Sequence, residues 1–201
     1  MNGFDVFLQK NWLYAKYRLW WIDNAVAQCF GAFSGELVGK RVLEIGCGSG
    51  YGATVIKRRF NVAKLMASDL DPQLIARARA RVRDAAVSFE IADACNLACP
   101  DDTYDAIFDF GVIHHIPNWR ECLRELRRVV KPGGKLFLID TPIESYSTFV
   151  GWITRICTSH PYDTMFSENE FVSCLGELGF KTLSRDVYDP NLYYFALVVE
   201  K

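Results

Sequence analysis

No uncharged apolar run among the 201 residues approaches the ~18 that a membrane-spanning helix needs. The opening MNGFDVFLQK lacks the basic-then-apolar layout of a secretory signal. An excess of one charge is missing too. The 23 basic and 24 acidic side chains leave a formal charge of −1, which gives no electrostatic case for nucleic acid or an anionic membrane. No C-x-x-C occurs, and the seven cysteines are odd in number. Cys95 and Cys99 stand four apart with no second pair or histidine cluster beside them, so no metal site is expected. Such cysteines read as reduced thiols of a cytoplasmic protein, several of them serving as small core hydrophobes. Internal repeats and low-complexity tracts are absent.

Half of the residues are hydrophobic, enough for a sizeable core, and the length suits one domain. From residue 41 the chain alternates in character. RVLEIG (41–46), KLMASD (64–69), VSFEIAD (87–93), YDAIFDFG (104–111) and KLFLID (135–140) read as strands. Between them, 51–60, 71–84 and 118–130 read as helices, the second with Asp71 as N-cap and Pro72 in the first helical position. KPGG (131–134) is expected to end the third helix and turn into the fifth strand. Strand–helix alternation predicts a parallel sheet covered on both faces, with ligands bound at the carboxyl ends of its strands.

The last part differs. SENEFVSCLGELGF (167–180) is a helix opened by a capping box, Ser167 with Glu170. KTLSRDVYD and LYYFALVVE then form strands joined at Asp189-Pro190-Asn191, a connection short enough only for an antiparallel hairpin. The fold class is therefore α/β: a Rossmann-like doubly wound sheet, mostly parallel, with one antiparallel strand in a C-terminal hairpin. Residues 1–201 are expected to form one domain. Its parts are a helical cap (1–40), a ligand-binding core (41–141), a covering insertion (142–166), and the last helix with its hairpin (167–201).

VLEIGCGSGYG (42–52) carries the chemistry. Glycines at the tip of a first parallel strand make a turn over which an extended ligand can lie. Gly46, Gly48 and Gly50 fit one pattern, and Gly48, Gly50 and Ala53 fit the dinucleotide fingerprint. Glu44 stands just before the turn, where a carboxylate repels a pyrophosphate and suits a cation. Asp69 ends the second strand, placed for a ribose diol; Asp93 ends the third, placed for an adenine amine. Three acids around a glycine turn favour a positively charged nucleoside over one bearing phosphates.

With V-L-E-I-G-C-G-S-G, S-D-L-D-P, A-D-A, Y-D-A-I-F-D-F-G-V-I-H-H-I and L-R-R-V-V-K-P-G-G-K-L in this order, the chain resembles class I S-adenosylmethionine-dependent methyltransferases of the small-molecule group. The resemblance runs from about Arg41 to Asp140, and the terminal hairpin agrees with it. It implies S-adenosylmethionine as cofactor and a small, partly apolar acceptor. It also implies that Gly46 and Gly48 pass the methionine part, Asp69 binds the ribose, Leu70 packs on adenine, Asp93 and Ala94 face the adenine amine, and Phe110 and Tyr51 line the pocket.

Candidate catalytic groups are Asp109, His114 and His160. Asp109, at the end of the fourth strand, is either a base or amine-orienting group, or a loop carboxylate making a local hydrogen bond. His114, beside His115, is either a proton acceptor or a structural residue at the entry to the next helix. His160 and Tyr162 lie in the insertion, where Tyr146, Phe149, Trp152 and Phe166 either form an aromatic acceptor pocket or pack the core. Trp12, Trp20 and Trp21 either cap the site or pack the core. Arg77, Arg79, Arg81 and Arg83 read as a solvated helix face. Two other functions share such a sheet: a nicotinamide-dependent oxidoreductase, and a non-catalytic module that keeps the cofactor fold to bind a partner.

Overall fold

The computed structural model describes residues 12–147, 151, 161–189 and 194–201, with the side chains of 12–15 and 189 left aside. Helix α1 (Trp12–Ala25) runs on through a π turn (Val26–Phe30) and a 3-10 segment (Gly31–Leu37) to β1 (Arg41–Ile45). Then follow α2 (Tyr51–Phe60), β2 (Lys64–Asp69), α3 (Pro72–Arg81), β3 (Val87–Ile91), β4 (Tyr104–Phe110), α4 (Trp119–Val129), β5 (Val130–Asp140), α5 (Glu168–Glu177), β6 (Lys181–Asp189) and β7 (Tyr194–Glu200). The seven strands form one sheet in the order β3-β2-β1-β4-β5-β7-β6. Pairs among β1 to β5 are parallel; β7 runs antiparallel to both β5 and β6. The expected sheet with one reversed strand is thus present. The turn at Asp189-Pro190-Asn191 falls outside the described residues.

Two apolar layers sandwich the sheet. On one face Trp21, Ile22 and Ala25 of α1, Val55, Ile56 and Phe60 of α2, and Ile75 and Ala78 of α3 meet Phe108 and Phe137. On the other, Leu123 and Leu126 of α4 and Phe171 and Leu175 of α5 meet Leu43, Ile107 and Leu138. Alternate residues of β1, β4 and β5 serve opposite layers, so these strands are apolar in their middles, with Arg41, Asp105 and Lys135 toward the amino ends and the buried Glu44, Asp109 and Asp140 toward the carboxyl ends. Polar residues there are placed for another purpose.

Local chemistry sets the boundaries. Asp71 Oδ1 accepts the Gln73 N–H at 2.7 Å, with Pro72 in the first turn, as its sequence predicts. Ser167 and Glu170 close the capping box of α5. Lys131–Gly134 does not precede β5. It bulges within it, because the β4–β5 register jumps between Tyr104 and Ala106. β3 stops at Ile91, two residues early, since Asp93 turns back to bridge Asn96.

The helix before β1 is seated on the hairpin. Trp21 lies edge-on to Tyr188 at 5.3 Å and to Tyr194 at 5.0 Å, and the Tyr188 hydroxyl donates to the Trp21 carbonyl. Asp23 binds Arg59 of α2 through both oxygens at 2.7 Å and also pairs with Arg58, so its carboxyl sits at about 2. Trp21 is therefore core, whereas Trp20 is exposed. Trp12, Phe149 and Trp152 lie outside the described side chains.

Candidate active site

The turn after β1 is wound by glycines where the chain needs them. Gly46, Gly48 and Gly50 have φ of +54°, +54° and +85°. A Cβ on Gly46 would fall 2.2 Å from Val112 Cγ2, whereas one on Gly48 would meet nothing within 4 Å. Val112 therefore closes over the first glycine, and the second faces open space, a backbone surface that a ligand can approach.

Asp69 holds this surface. Its Oδ2 accepts the Gly48 N–H at 2.8 Å and its Oδ1 the Asp71 N–H at 2.9 Å, so the carboxyl end of β2 fixes the turn after β1. Leu70 and Ile91, beside it on the ends of β2 and β3, are large apolar side chains left 66% and 53% exposed, which suits the flat face of a base. Asp93 is exposed and caps its own turn by accepting the Cys95 N–H at 2.8 Å; Ala94 is buried under it. Tyr51 is held by Arg81, whose guanidinium lies 4.0 Å from the ring centroid and donates to the hydroxyl at 3.0 Å.

Arg81 also donates to the Ser49 carbonyl at 2.8 Å, and Arg79 to the Phe89 carbonyl at 2.7 Å. Two of the four arginines expected on a solvated face thus tie α3 to the glycine turn and to β3. An arginine run cannot show which carbonyls lie opposite.

Glu44 is 2% exposed, and its Oε2 has no hydrogen-bond partner. It lies under Gly52 and Phe110: a Cβ on Gly52 would come within 1.9 Å of Glu44 Oε1 and 2.7 Å of Phe110 Cδ2. Burial pushes the Glu44 carboxyl well above the usual range; the charges of Asp69 and Asp109 add to this and Arg18 opposes it. An orphaned buried carboxylate oxygen beside an open glycine turn fits the ammonium of an α-amino acid.

On the opposite face of the same strand ends sits a second polar group. Asp109, fully buried, accepts the Val112 N–H on Oδ1 at 2.9 Å, and its Oδ2 has no hydrogen-bond partner. Asp140, also fully buried, accepts the His114 N–H at 3.1 Å and the Thr141 N–H at 2.7 Å, and pairs through Oδ1 with His114 Nδ1. Burial, then repulsion from Asp140, raises the Asp109 carboxyl well above its usual range. Burial raises Asp140 to about 7. Burial, then the Arg18 charge, presses His114 down to about 3, so the imidazole is neutral near pH 7. His160 lies outside the described residues.

Asp140 was not singled out in the sequence. The signal was there, since an acid ends the fifth parallel strand just as Asp69 ends the second. Arg18 was also missed; from α1 its charge acts on Glu44, His114 and Tyr194. Tyr146 and Tyr162 pack edge-on at 5.0 Å. A separate cavity of about 200 Å³ lies at the amino ends of the strands among Lys40, Asp105, Lys131 and Lys135. Asp105 pairs with Lys131, and Glu36 and Glu200 pair with Lys135, so little net charge remains there for a ligand. Among the described residues no cluster of metal-ligating side chains occurs, and no helix is long and apolar enough to cross a membrane.

A mostly parallel seven-stranded sheet with a reversed β7, a glycine turn after β1 and acids at successive strand ends define the class I methyltransferase fold. Residues 43–138, just under half of the chain, match the family model of the methyltransferase domain. A curated relative, the fatty-acid O-methyltransferase of Mycolicibacterium smegmatis, is 37% identical over 109 residues, 54% of this chain and 40% of the relative. The chain spans about two fifths of the length of the first curated relatives it matches. A solved S-adenosylmethionine-dependent methyltransferase from Mesorhizobium loti superposes with a TM-score of 0.70 at 17% identity, covering 85% of this chain and 94% of that one. The [4+2]-cyclase SpnF superposes at 0.69 with 19% identity, over 89% and 81%. The same fold thus carries more than one reaction, and the site has to argue the rest.

Proposed function

We propose that the protein is an S-adenosylmethionine-dependent methyltransferase acting on a small, partly apolar acceptor. The observation that carries this reading is the buried Glu44 with its orphaned Oε2 next to the open Gly48. A pyrophosphate would be repelled there; a ligand bearing an ammonium and a sulfonium is attracted. In this reading Glu44 receives the ammonium, Gly46 and Gly48 lie along the methionine chain, Asp69 takes the ribose hydroxyls, and Leu70 packs on the adenine. Asp93 with Ala94 meets the adenine amine, and Phe110 and Tyr51 back the pocket. The bound cofactor supplies an electrophilic methyl group; the chain binds, orients and keeps water out.

We place the acceptor wall at Tyr146, Tyr162 and Tyr194, with Trp21 packed behind Tyr194 in the core, a surface suited to an apolar body with a polar tip. The fatty-acid O-methyltransferase among the relatives agrees with an apolar acceptor. Trp21 comes from the expected cap (1–40), and Tyr146 and Tyr162 from the expected insertion (142–166). The partner is a small molecule rather than nucleic acid, and free cysteines such as Cys29, Cys47 and Cys122 suit the cytoplasm.

Thermal melting separates this reading from a nicotinamide enzyme. S-adenosylhomocysteine at a hundred times its dissociation constant should stabilise the chain by about 2.7 kcal/mol, and NADH should not. Stabilisation by NADH alone overturns the reading. Asp69→Ala should weaken S-adenosylhomocysteine binding at least several-fold in calorimetry, since it removes both the ribose acceptor and the anchor of Gly48. Unchanged affinity rejects the ribose assignment. A chain that binds the cofactor but turns over no acceptor would be a binding module instead.

A further inference from the structure

We infer that Asp109 is a positioning residue for the cofactor: it seats Val112 against Gly46 and so holds the start of the glycine turn in its binding shape. The inference rests on the methyltransferase reading and gives a role to a buried acid which that reading leaves unused.

β1 lies between β2 and β4, and each neighbour ends in an acid that acts on the turn. From β2, Asp69 grips the turn directly, through the Gly48 N–H. From β4 the hold is indirect. Past Asp109 the chain reverses at Gly111, with φ of +80°. Asp109 Oδ1 accepts the Val112 N–H at 2.9 Å. Both methyls of Val112 fill the space that a side chain on Gly46 would take. The next residue, Ile113, is fully buried in the apolar layer that α4 and α5 form with the sheet. Asp140, at the end of β5, accepts the His114 N–H at 3.1 Å. Val112 therefore stands on a segment fixed on both sides, with little slack against the turn. Gly46 has φ of +54° and no side chain of its own to pack, so its conformation depends on what lies against it. Without the Oδ1 acceptor the Val112 N–H loses its partner, and the segment must move to find another.

This work needs an acceptor oxygen rather than a charge, and an amide oxygen serves it as well as a carboxylate. The effect is also confined to one end of the ligand. In the proposed binding mode Gly46 lies along the methionine chain, whereas the adenosine rests on Asp69, Leu70 and Asp93.

Calorimetry on the full chain with two ligands decides. S-adenosylhomocysteine carries the amino-acid chain; 5′-methylthioadenosine has the same thioadenosine without it. Asp109→Ala and Val112→Ala should each weaken S-adenosylhomocysteine about tenfold and change 5′-methylthioadenosine by less than about threefold. The double variant should bind S-adenosylhomocysteine no more than about threefold more weakly than either single one, since the two residues act in series. Asp109→Asn should restore the affinity to within about threefold of the parent. Equal losses for both ligands mark a general loosening of the strand ends and overturn the role. Additive losses in the double variant, an unchanged affinity in Asp109→Ala, or an Asp109→Asn as weak as Asp109→Ala overturn it too. Should Asp109→Ala show no folded transition in melting, the other two variants decide. Val112→Ala then has to lose S-adenosylhomocysteine selectively and Asp109→Asn has to keep it, and any other result overturns the inference. A parent chain that binds no S-adenosylhomocysteine removes the methyltransferase reading itself, and this inference with it.

Discussion

Replacing Gly52 by alanine is expected to weaken S-adenosylhomocysteine binding at least about tenfold while the chain still folds. Gly52 sits in the first turn of α2, in helical backbone that any residue adopts. What excludes a side chain is Glu44: the new methyl would lie 1.9 Å from its Oε1 and 2.7 Å from Phe110 Cδ2. Phe110 is buried against Phe108 and has little room to retreat, so the flexible carboxylate must swing away. Overpacking of this kind costs about 1–3 kcal/mol, and each 1.4 kcal/mol withdrawn from binding is about tenfold in affinity. Gly134→Ala is the matched control. Its methyl would meet the backbone carbonyls of Asp105 and Lys131 at 2.9 Å, far from the glycine turn. Melting and calorimetry on both variants should dissociate: both substitutions lower Tm, but Gly134→Ala leaves affinity alone while Gly52→Ala loses it. Equal affinity in Gly52→Ala and the parent would mean that Glu44 does not receive the cofactor.

What could be read from the sequence and what could not divide along one physical line. Asp71-Pro72, the Ser167–Glu170 box and the glycine turn are local. Their hydrogen bonds close within a few residues, so spacing alone announces them. Apolar strands bounded by acids gave the sheet, because alternation with helices leaves few ways to cover both faces. The contacts that organise the candidate site span the chain instead. His114 and Asp140 are 26 positions apart, Arg81 and Ser49 are 32 apart, and nothing local marks either pair. The same holds for Asp109. Either of its expected roles was open in the sequence, and only the folded chain brings the Val112 N–H to one oxygen and Asp140 beside it. The bulge at Lys131–Gly134 was hidden for a related reason: proline and glycine announce a turn, but only pairing with β4 decides whether the strand resumes on both sides.

Asp109→Asn should stabilise the protein at alkaline pH and flatten the fall of its stability with pH. Asp109 and Asp140 are buried side by side at the ends of adjacent strands, and both hold the segment 112–114 by its backbone N–H groups. Asparagine keeps that service, since its carbonyl oxygen accepts the Val112 N–H as the carboxylate does, and its amide can donate toward Asp140 where two carboxyl groups now compete. The sign follows from linkage. The folded carboxyls titrate above their unfolded value, Asp140 at about 7 and Asp109 well above the usual range. Above the unfolded carboxylate range, near 4, the folded state therefore binds more protons than the unfolded one. The stability these groups lend is complete at acid pH and is lost as pH rises through the folded values. Asparagine has no proton to lose, and it relieves Asp140 of a neighbouring charge. Glu44, buried and raised independently, leaves a residual slope in both proteins. Melting curves from pH 5 to 9 should thus converge at the acid end and separate at the alkaline end, with the variant higher. A gap of about 2–4 °C corresponds to roughly 1 kcal/mol in a chain of this length. A variant that melts lower than the parent at pH 9 would show that Asp109 is held there as an ionised carboxylate by a cation, and the paired-acid account of these strand ends would fail.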